Sequence, residues 1–169
     1  SEAFLVLRAL DVGMALGYVP LVVIAMNVAY AAFAYPGGIA ADRFSARTLL
    51  LLGVMLLIAA DVMLALAAGP LIALAGSVLW GLHMACTQGL LAKLVADTAP
   101  ARLRGTAFGI FNLVSGVALL LASVIAGALW SAFGASAAFL AGAAFAAVTA
   151  FGLLGYRTSP RAVKQESDS

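Results

Sequence analysis

The sequence predicts an all-α integral membrane protein, an antiparallel bundle of transmembrane helices, and three observations carry that prediction. The 169 residues are 65% hydrophobic and 9% charged, with a mean hydropathy of +1.14, whereas a soluble domain is nearly half apolar and about one quarter charged. The apolar residues fall into runs close to the roughly 20 residues that cross a bilayer as helix. Finally, Lys and Arg gather in every second connection between those runs, as the positive-inside rule requires.

Taken in order, Ser1 to Leu16 is apolar apart from Glu2, Arg8 and Asp11 and is too short to cross. It reads as the remainder of a longer helix. It lacks an initiating Met and a basic n-region with a small-residue cleavage site, so it is not read as a signal peptide. Gly17 to Pro20 is an uncharged turn. The first full span is expected from about Leu21 to Ile39, loosened at its end by Pro36, Gly37 and Gly38. A polar connection carrying Asp42, Arg43 and Arg47 follows. The next span runs from about Thr48 to Ala68, and Gly69-Pro70 turns the chain. Another covers about Leu71 to Leu94, leading into a connection with Asp97, Pro100, Arg102 and Arg104. The last two spans are Gly105 to Trp130 and Ser136 to Tyr156, joined at Phe133-Gly134-Ala135. The chain thus divides into a bundle over residues 1–156 and a polar tail over 157–169, expected to be disordered because it has no apolar periodicity.

The charge map sets the orientation. Arg43 and Arg47, then Lys93, Arg102 and Arg104, then Arg157, Arg161 and Lys164 occupy alternate connections, while the turns at Gly17, Gly69 and Gly134 carry no Lys or Arg. The Asp42 connection and the C-terminus are therefore predicted to be cytoplasmic. Trp130 and Tyr156, near opposite ends of their helices, fit interfacial anchors. A net charge of +2 without a basic aromatic face gives nucleic-acid binding no support. Cys86 is the one cysteine and His83 the one histidine, so neither an intramolecular disulfide nor a metal-ligand spacing is written in the chain. Cys86 reads as a small buried hydrophobe.

The stretch Gly38-Ile39-Ala40-Ala41-Asp42-Arg43-Phe44-Ser45-Ala46-Arg47 resembles the signature loop of the major facilitator superfamily of secondary transporters, Gly-x-Leu-Ala-Asp-Arg-x-Gly-Arg-Lys. Gly38, Ala41, Asp42, Arg43 and Arg47 stand at matching positions, the last as Arg for Lys, and Ala40, Ser45 and Ala46 depart from the pattern. The stretch Asp97 to Gly109, with its Arg104-Gly105 pair, resembles the family's connection between its tenth and eleventh helices. The resemblance implies the second, C-terminal half of such a transporter, from the end of helix seven through helix twelve. It further implies a missing N-terminal half, a small-molecule substrate, a plasma membrane (the inner membrane of a bacterium) as location, no cofactor, no enzymatic activity and the possibility of proton coupling. It makes Gly38, Asp42, Arg43, Arg47 and Asp97 a conformational-switch loop, with Arg43 or Arg47 approaching Asp97 and Asp42 facing a helix N-terminus of the missing half.

Ionisable groups inside a span are costly and mark functional candidates. Arg8 sits eight residues before Leu16, hence roughly 12 Å below the outer face at 1.5 Å per residue. It is read either as a substrate or coupling group or as the partner of its i+3 neighbour Asp11. Asp61 is read either as a proton-coupling carboxyl or as a buried carboxyl bonded to an adjacent helix. His83 shares a broad helical face with Ser77, Trp80, Thr87 and Gln88. In the family that helix lines the central cavity, so His83, Trp80 and Thr87, with Arg8 and Asn27 opposite, form the candidate substrate surface, and His83 and Asp61 are the candidates for ion coupling. Against this stands the reading of His83 as a packing group. Tyr30, Asn112, Ser115 and Ser123 read as interhelical hydrogen-bonding groups, and Gly105, Gly109, Ala122 and Ala126 as close-packing positions.

Two functions of different kind fit this pattern: a secondary transporter, and a non-transporting membrane scaffold or partner subunit. An intramembrane hydrolase is rejected, because Ser77 and His83 lie six residues apart on one helix and no Gly-x-Ser-x-Gly elbow exists.

Overall fold

The computed structural model describes residues 2–155. The chain forms α1 (Glu2–Asp11), α2 (Pro20–Arg43), α3 (Ala46–Ala65), α4 (Pro70–Thr98), α5 (Arg104–Phe133) and α6 (Ala135–Gly155). Short 3-10 turns, Leu16–Tyr18 and Ala101–Leu103, lead into α2 and α5. Five of the helices, α2 to α6, are long and apolar enough to cross a membrane. The five full spans and the short first helix expected from the sequence are therefore present. The tail beyond 156 and the anchor role of Tyr156 lie outside the described residues.

Local signals explain most boundaries. Pro20 and Pro70 each open a helix at a position where the missing N–H would have had no intrahelical acceptor. Ser45 caps α3, its Oγ accepting from the Thr48 amide at 3.1 Å. Gly134 adopts φ 88° between α5 and α6, a left-handed conformation that glycine takes without steric cost.

Four helix ends differ from expectation by about a turn, those of α2 and α4 as well as α3, which stops at Ala65 rather than Ala68, and α5, which runs past Trp130 to Phe133. The chain does not leave the helix at Ile39: α2 runs through Pro36, Gly37 and Gly38 to Arg43, and only Phe44 and Ser45 separate it from α3. Pro36 removes one helical hydrogen bond. The helix persists because neighbouring helices support it: a Cβ on Gly37 would lie 2.7 Å from the Ala85 carbonyl of α4. Likewise α4 continues to Thr98, one turn beyond the expected Leu94.

The bundle is built around α4. It packs against α2 through Gly81, where a Cβ would come within 2.2 Å of the Met26 carbonyl oxygen, and against α3 through Gly53, where one would meet the Thr87 methyl at 2.4 Å. α3 also packs on α6. The main core joins Leu5 and Ala9 of α1 to Met26 of α2, Leu64 of α3 and Phe139 of α6. Trp130 stacks beside it, 5.7 Å from the Phe4 ring and 6.1 Å from Phe139. No residue of α5 is buried. The small-residue positions expected to mediate packing, Gly105 and Gly109, have nothing within 4 Å of a built Cβ. The close approaches fall instead on α2, α3, α4 and α6.

Candidate functional site

Charged side chains collect at the two ends of the bundle. At the end bearing the α1–α2 and α3–α4 turns, Arg8 is 7% exposed and its donors converge on the C-terminus of α3. Nε donates to the Leu64 carbonyl at 2.8 Å, and Nη2 to the Ala65 and Ala67 carbonyls at 3.1 Å each. Nη1 pairs with Asp11. The Leu64 carbonyl otherwise accepts only from the backbone just beyond the helix, the Ala67 amide lying 3.3 Å away, and the positive group sits where the helix dipole is negative. Ser136 of α6 adds a hydroxyl bond to the same Ala65 carbonyl at 2.7 Å. Of the two readings of Arg8, the Asp11 pair is present, joined by a helix-capping role that the sequence did not suggest.

At the opposite end, Lys93 of α4 pairs with Asp42 and also donates to the Ala41 carbonyl at 3.3 Å. Arg47 reaches the other way, its Nη2 donating to the Leu154 carbonyl in the last turn of α6 at 2.7 Å, while its Nε is buried without an acceptor among the described residues. The expected approach of Arg43 or Arg47 to Asp97 is not made, and Asp42 does not wait for a partner outside the chain. Lys93, which lies inside the span expected from the sequence, reaches Asp42 across the contact of α4 with α2, and the packing of α3 on α6 sets Arg47 against Leu154 rather than Asp97.

In the middle of the bundle, His83 Nδ1 lies 2.8 Å from the Gly53 carbonyl of α3. One turn on, the Thr87 hydroxyl donates back to the His83 carbonyl at 2.9 Å, which leaves its methyl against Gly53. Asp61 is 3% exposed at the α3–α6 contact, where a Cβ on Gly142 would lie 2.6 Å from its Oδ2. Among the described residues Asp61 has no hydrogen-bond partner on an adjacent helix.

The structure therefore brings His83 and Thr87 together at Gly53 and separates the rest of the candidate surface. Trp80 packs against the main core. Asn27 is exposed on α2 and bonds its own helix at the Val23 carbonyl, 2.8 Å away. Arg8 is committed at the far end. Two hollows lie elsewhere: a cavity of about 70 Å³ between α2 and α4, lined by Tyr30, Gly37, Gly38 and Gly89, and an apolar groove of about 660 Å³ between the end of α4 and the start of α5, lined among others by Leu94, Leu103, Ile110 and Phe111. Sequence reasoning missed Gly53 and Lys93. Lys93 had been counted among the basic connections, and its one signal was an opposite charge, Asp42, predicted at the same membrane face.

A bundle of apolar helices whose charges sit at its ends, with polar groups paired between helices at mid-depth, defines a polytopic helical membrane protein. Residues 3–169 match the major facilitator superfamily, and the chain belongs to that family. It is 30% identical over 136 residues to an uncharacterised MFS-type transporter of Methanocaldococcus jannaschii, an alignment covering 77% of this chain and 34% of that protein. The chain thus spans about a third of the length of the relative it matches.

Proposed function

We propose that the chain is the C-terminal six-helix half of a secondary transporter that moves a small solute by alternating access. In that mechanism two halves rock about a site near the bilayer midplane. The observation that carries the reading is family membership across residues 3–169. The alternation of basic connections supports a cytoplasmic α2–α3 connection and C-terminus. The short span of the alignment with the relative supports an N-terminal half elsewhere in a longer protein. His83 is the residue we assign to the solute. It sits at mid-depth, and Arg8, Trp80 and Asn27 are engaged in other ways or face elsewhere. Asp61 and His83 are the groups through which a proton would couple. The Asp42–Lys93 pair ties the α2–α3 connection to α4 and would resist their separation during rocking.

The test is uptake by the longer reading frame that contains this chain, reconstituted in vesicles and challenged with a broad panel of radiolabelled solutes. Uptake abolished by His83→Ala is the expected outcome. No uptake of any solute above empty vesicles would instead favour a non-transporting membrane subunit. Labelling of single cysteines at positions 69 and 134 from the cytoplasmic side, in a Cys86→Ala background, would reverse the proposed topology.

A further inference from the structure

The Gly53 carbonyl determines which atom of His83 is available for chemistry. A carbonyl oxygen accepts hydrogen bonds and never donates, so the 2.8 Å contact requires the hydrogen on Nδ1. That holds whatever the charge of the ring, and any proton the ring gains or loses is gained or lost at Nε2. Such a bond to a second residue is the usual way a protein fixes an imidazole tautomer. In the neutral ring Nε2 is then a bare lone pair, and among the described residues it has no hydrogen-bond donor.

The side of the ring that meets Gly53 is packed against carbon atoms. Gly53 presents no side chain, a Cβ placed there would touch the Thr87 methyl at 2.4 Å and the Cys86 Cβ at 3.5 Å, and the Thr87 hydroxyl is turned away onto its own helix. No cation or carboxylate makes a hydrogen bond or ion pair to His83 among the described residues. The contact joins Gly53, near the centre of α3 (Ala46–Ala65), to His83, near the centre of α4 (Pro70–Thr98), so it lies at mid-depth.

From this we infer that His83 Nε2 is a fixed hydrogen-bond acceptor and that the site takes a solute carrying a hydroxyl or N–H donor, with Gly53 as the residue that sets this preference through His83. The inference rests on the assignment of His83 to the solute. A fixed acceptor discriminates between solutes: one that covers the nitrogen without offering a donor leaves it unpaired. Anions and solutes bearing only acceptors are disfavoured for the same reason.

His83 is the one histidine in the sequence, so labelling with ring-¹⁵N histidine gives the 169-residue chain a single imidazole signal in lipid nanodiscs. The expected spectrum shows a protonated Nδ1 and a pyridine-type Nε2. A pyridine-type Nδ1, or two protonated nitrogens at neutral pH, would overturn the inference. Titration then uses a matched pair, 4-propylphenol and its methyl ether, which differ by one donor. The phenol is expected to shift the Nε2 resonance at concentrations at least tenfold below any at which the ether does. Equal responses, or none to the phenol, would overturn the assigned solute class. In Gly53→Ala the added Cβ clashes with the Thr87 methyl and pushes α4 away from α3, which is expected to release the tautomer. If that variant does not fold, Thr87→Ser, which removes the methyl while keeping the hydroxyl, is expected to leave the tautomer fixed, and a change in it would count against the carbonyl as its cause. Uptake by the longer protein plays no part in these readouts, so failure of the transport proposal and failure of this one are distinguishable.

Discussion

α4 and α5 are neighbours of nearly equal length, 29 and 30 residues, yet seven residues of α4 are buried and none of α5. α4 is the less hydropathic of the two, yet it is gripped by α2 and α3. α5, the more apolar, buries no residue and rests mainly on α6. In water the more apolar helix would be the one inside. A bilayer removes that driving force, because lipid tails are as apolar as leucine, and helix association depends on close packing and on pairing polar groups. α4 has both: Gly81 lets its backbone touch that of α2, Thr87 fits over Gly53, and His83 and Lys93 each find an acceptor on another helix. α5 offers Leu113, Val114, Leu119 and Leu120 to its surroundings and no polar bond to a neighbour among the described residues. Hydropathy finds the spans, and small and polar residues decide which of them touch.

The sharpest way to break this contrast is Gly81→Val. A Cβ at Gly81 would come within 2.2 Å of the Met26 carbonyl oxygen, and backbone cannot rotate away as a side chain does. Overpacking of this kind costs roughly 3 kcal/mol, and the expected outcome is a clear fall in the SDS concentration at which the chain unfolds. Retention of wild-type stability would mean that α2 and α4 are not held by close backbone contact.

Next in size is Arg8→Met, which keeps much of the apolar stem and removes the guanidinium from the Leu64, Ala65 and Ala67 carbonyls. Hydrogen bonds from a charged donor to buried acceptors suggest a loss of roughly 3 kcal/mol at most. Hydrogen exchange should rise first at the C-terminus of α3, because that is the end left uncapped. Protection unchanged there, with solute uptake by the longer protein abolished, would return Arg8 to the substrate surface. Smaller again is Ser45→Ala at the start of α3, where loss of the side-chain acceptor for the Thr48 amide should cost about 1 kcal/mol. The same unfolding titration would read it, and Ser45→Asp should restore the stability.

What the sequence made legible follows the same division. The spans, the turn at Gly69-Pro70 and the turn at Gly134 were readable, since each depends on composition and on what proline and glycine do locally. The continuation of α2 past Pro36 was not, because the helix-breaking weight given to proline assumes no neighbour, and here α4 lies against Gly37. Among 17 glycines nothing in the order of residues marks Gly53 and Gly81 as crossings while leaving Gly105 and Gly109 open. His83 was found as an intramembrane polar group, but its acceptor is a backbone carbonyl, which every residue carries and no pattern reveals. Arg8 was placed beside Asp11 from spacing alone, and its capping of α3 depends on where that helix ends.

The smallest expected effect sits on the other helix. Gly109 of α5 has nothing within 4 Å of where a Cβ would lie, so Gly109→Leu adds an apolar side chain to a face that meets only its surroundings. No clash opposes it, and replacing glycine within a helix interior removes a small backbone-entropy cost. Stability of the 169-residue chain in detergent or lipid should therefore stay within about 0.5 kcal/mol of wild type, or rise slightly. The same substitution sharpens the comparison when placed in the longer protein. There, a large loss of uptake with the isolated chain unaffected would mean that the face of α5 is open only because its partner lies outside this segment. No effect in either setting would leave that face to lipid, with α5 bound to the bundle mainly through α6. A loss of several kcal/mol in the isolated chain would contradict the contrast itself, since it would require α5 to pack at Gly109 as tightly as α4 packs at Gly81.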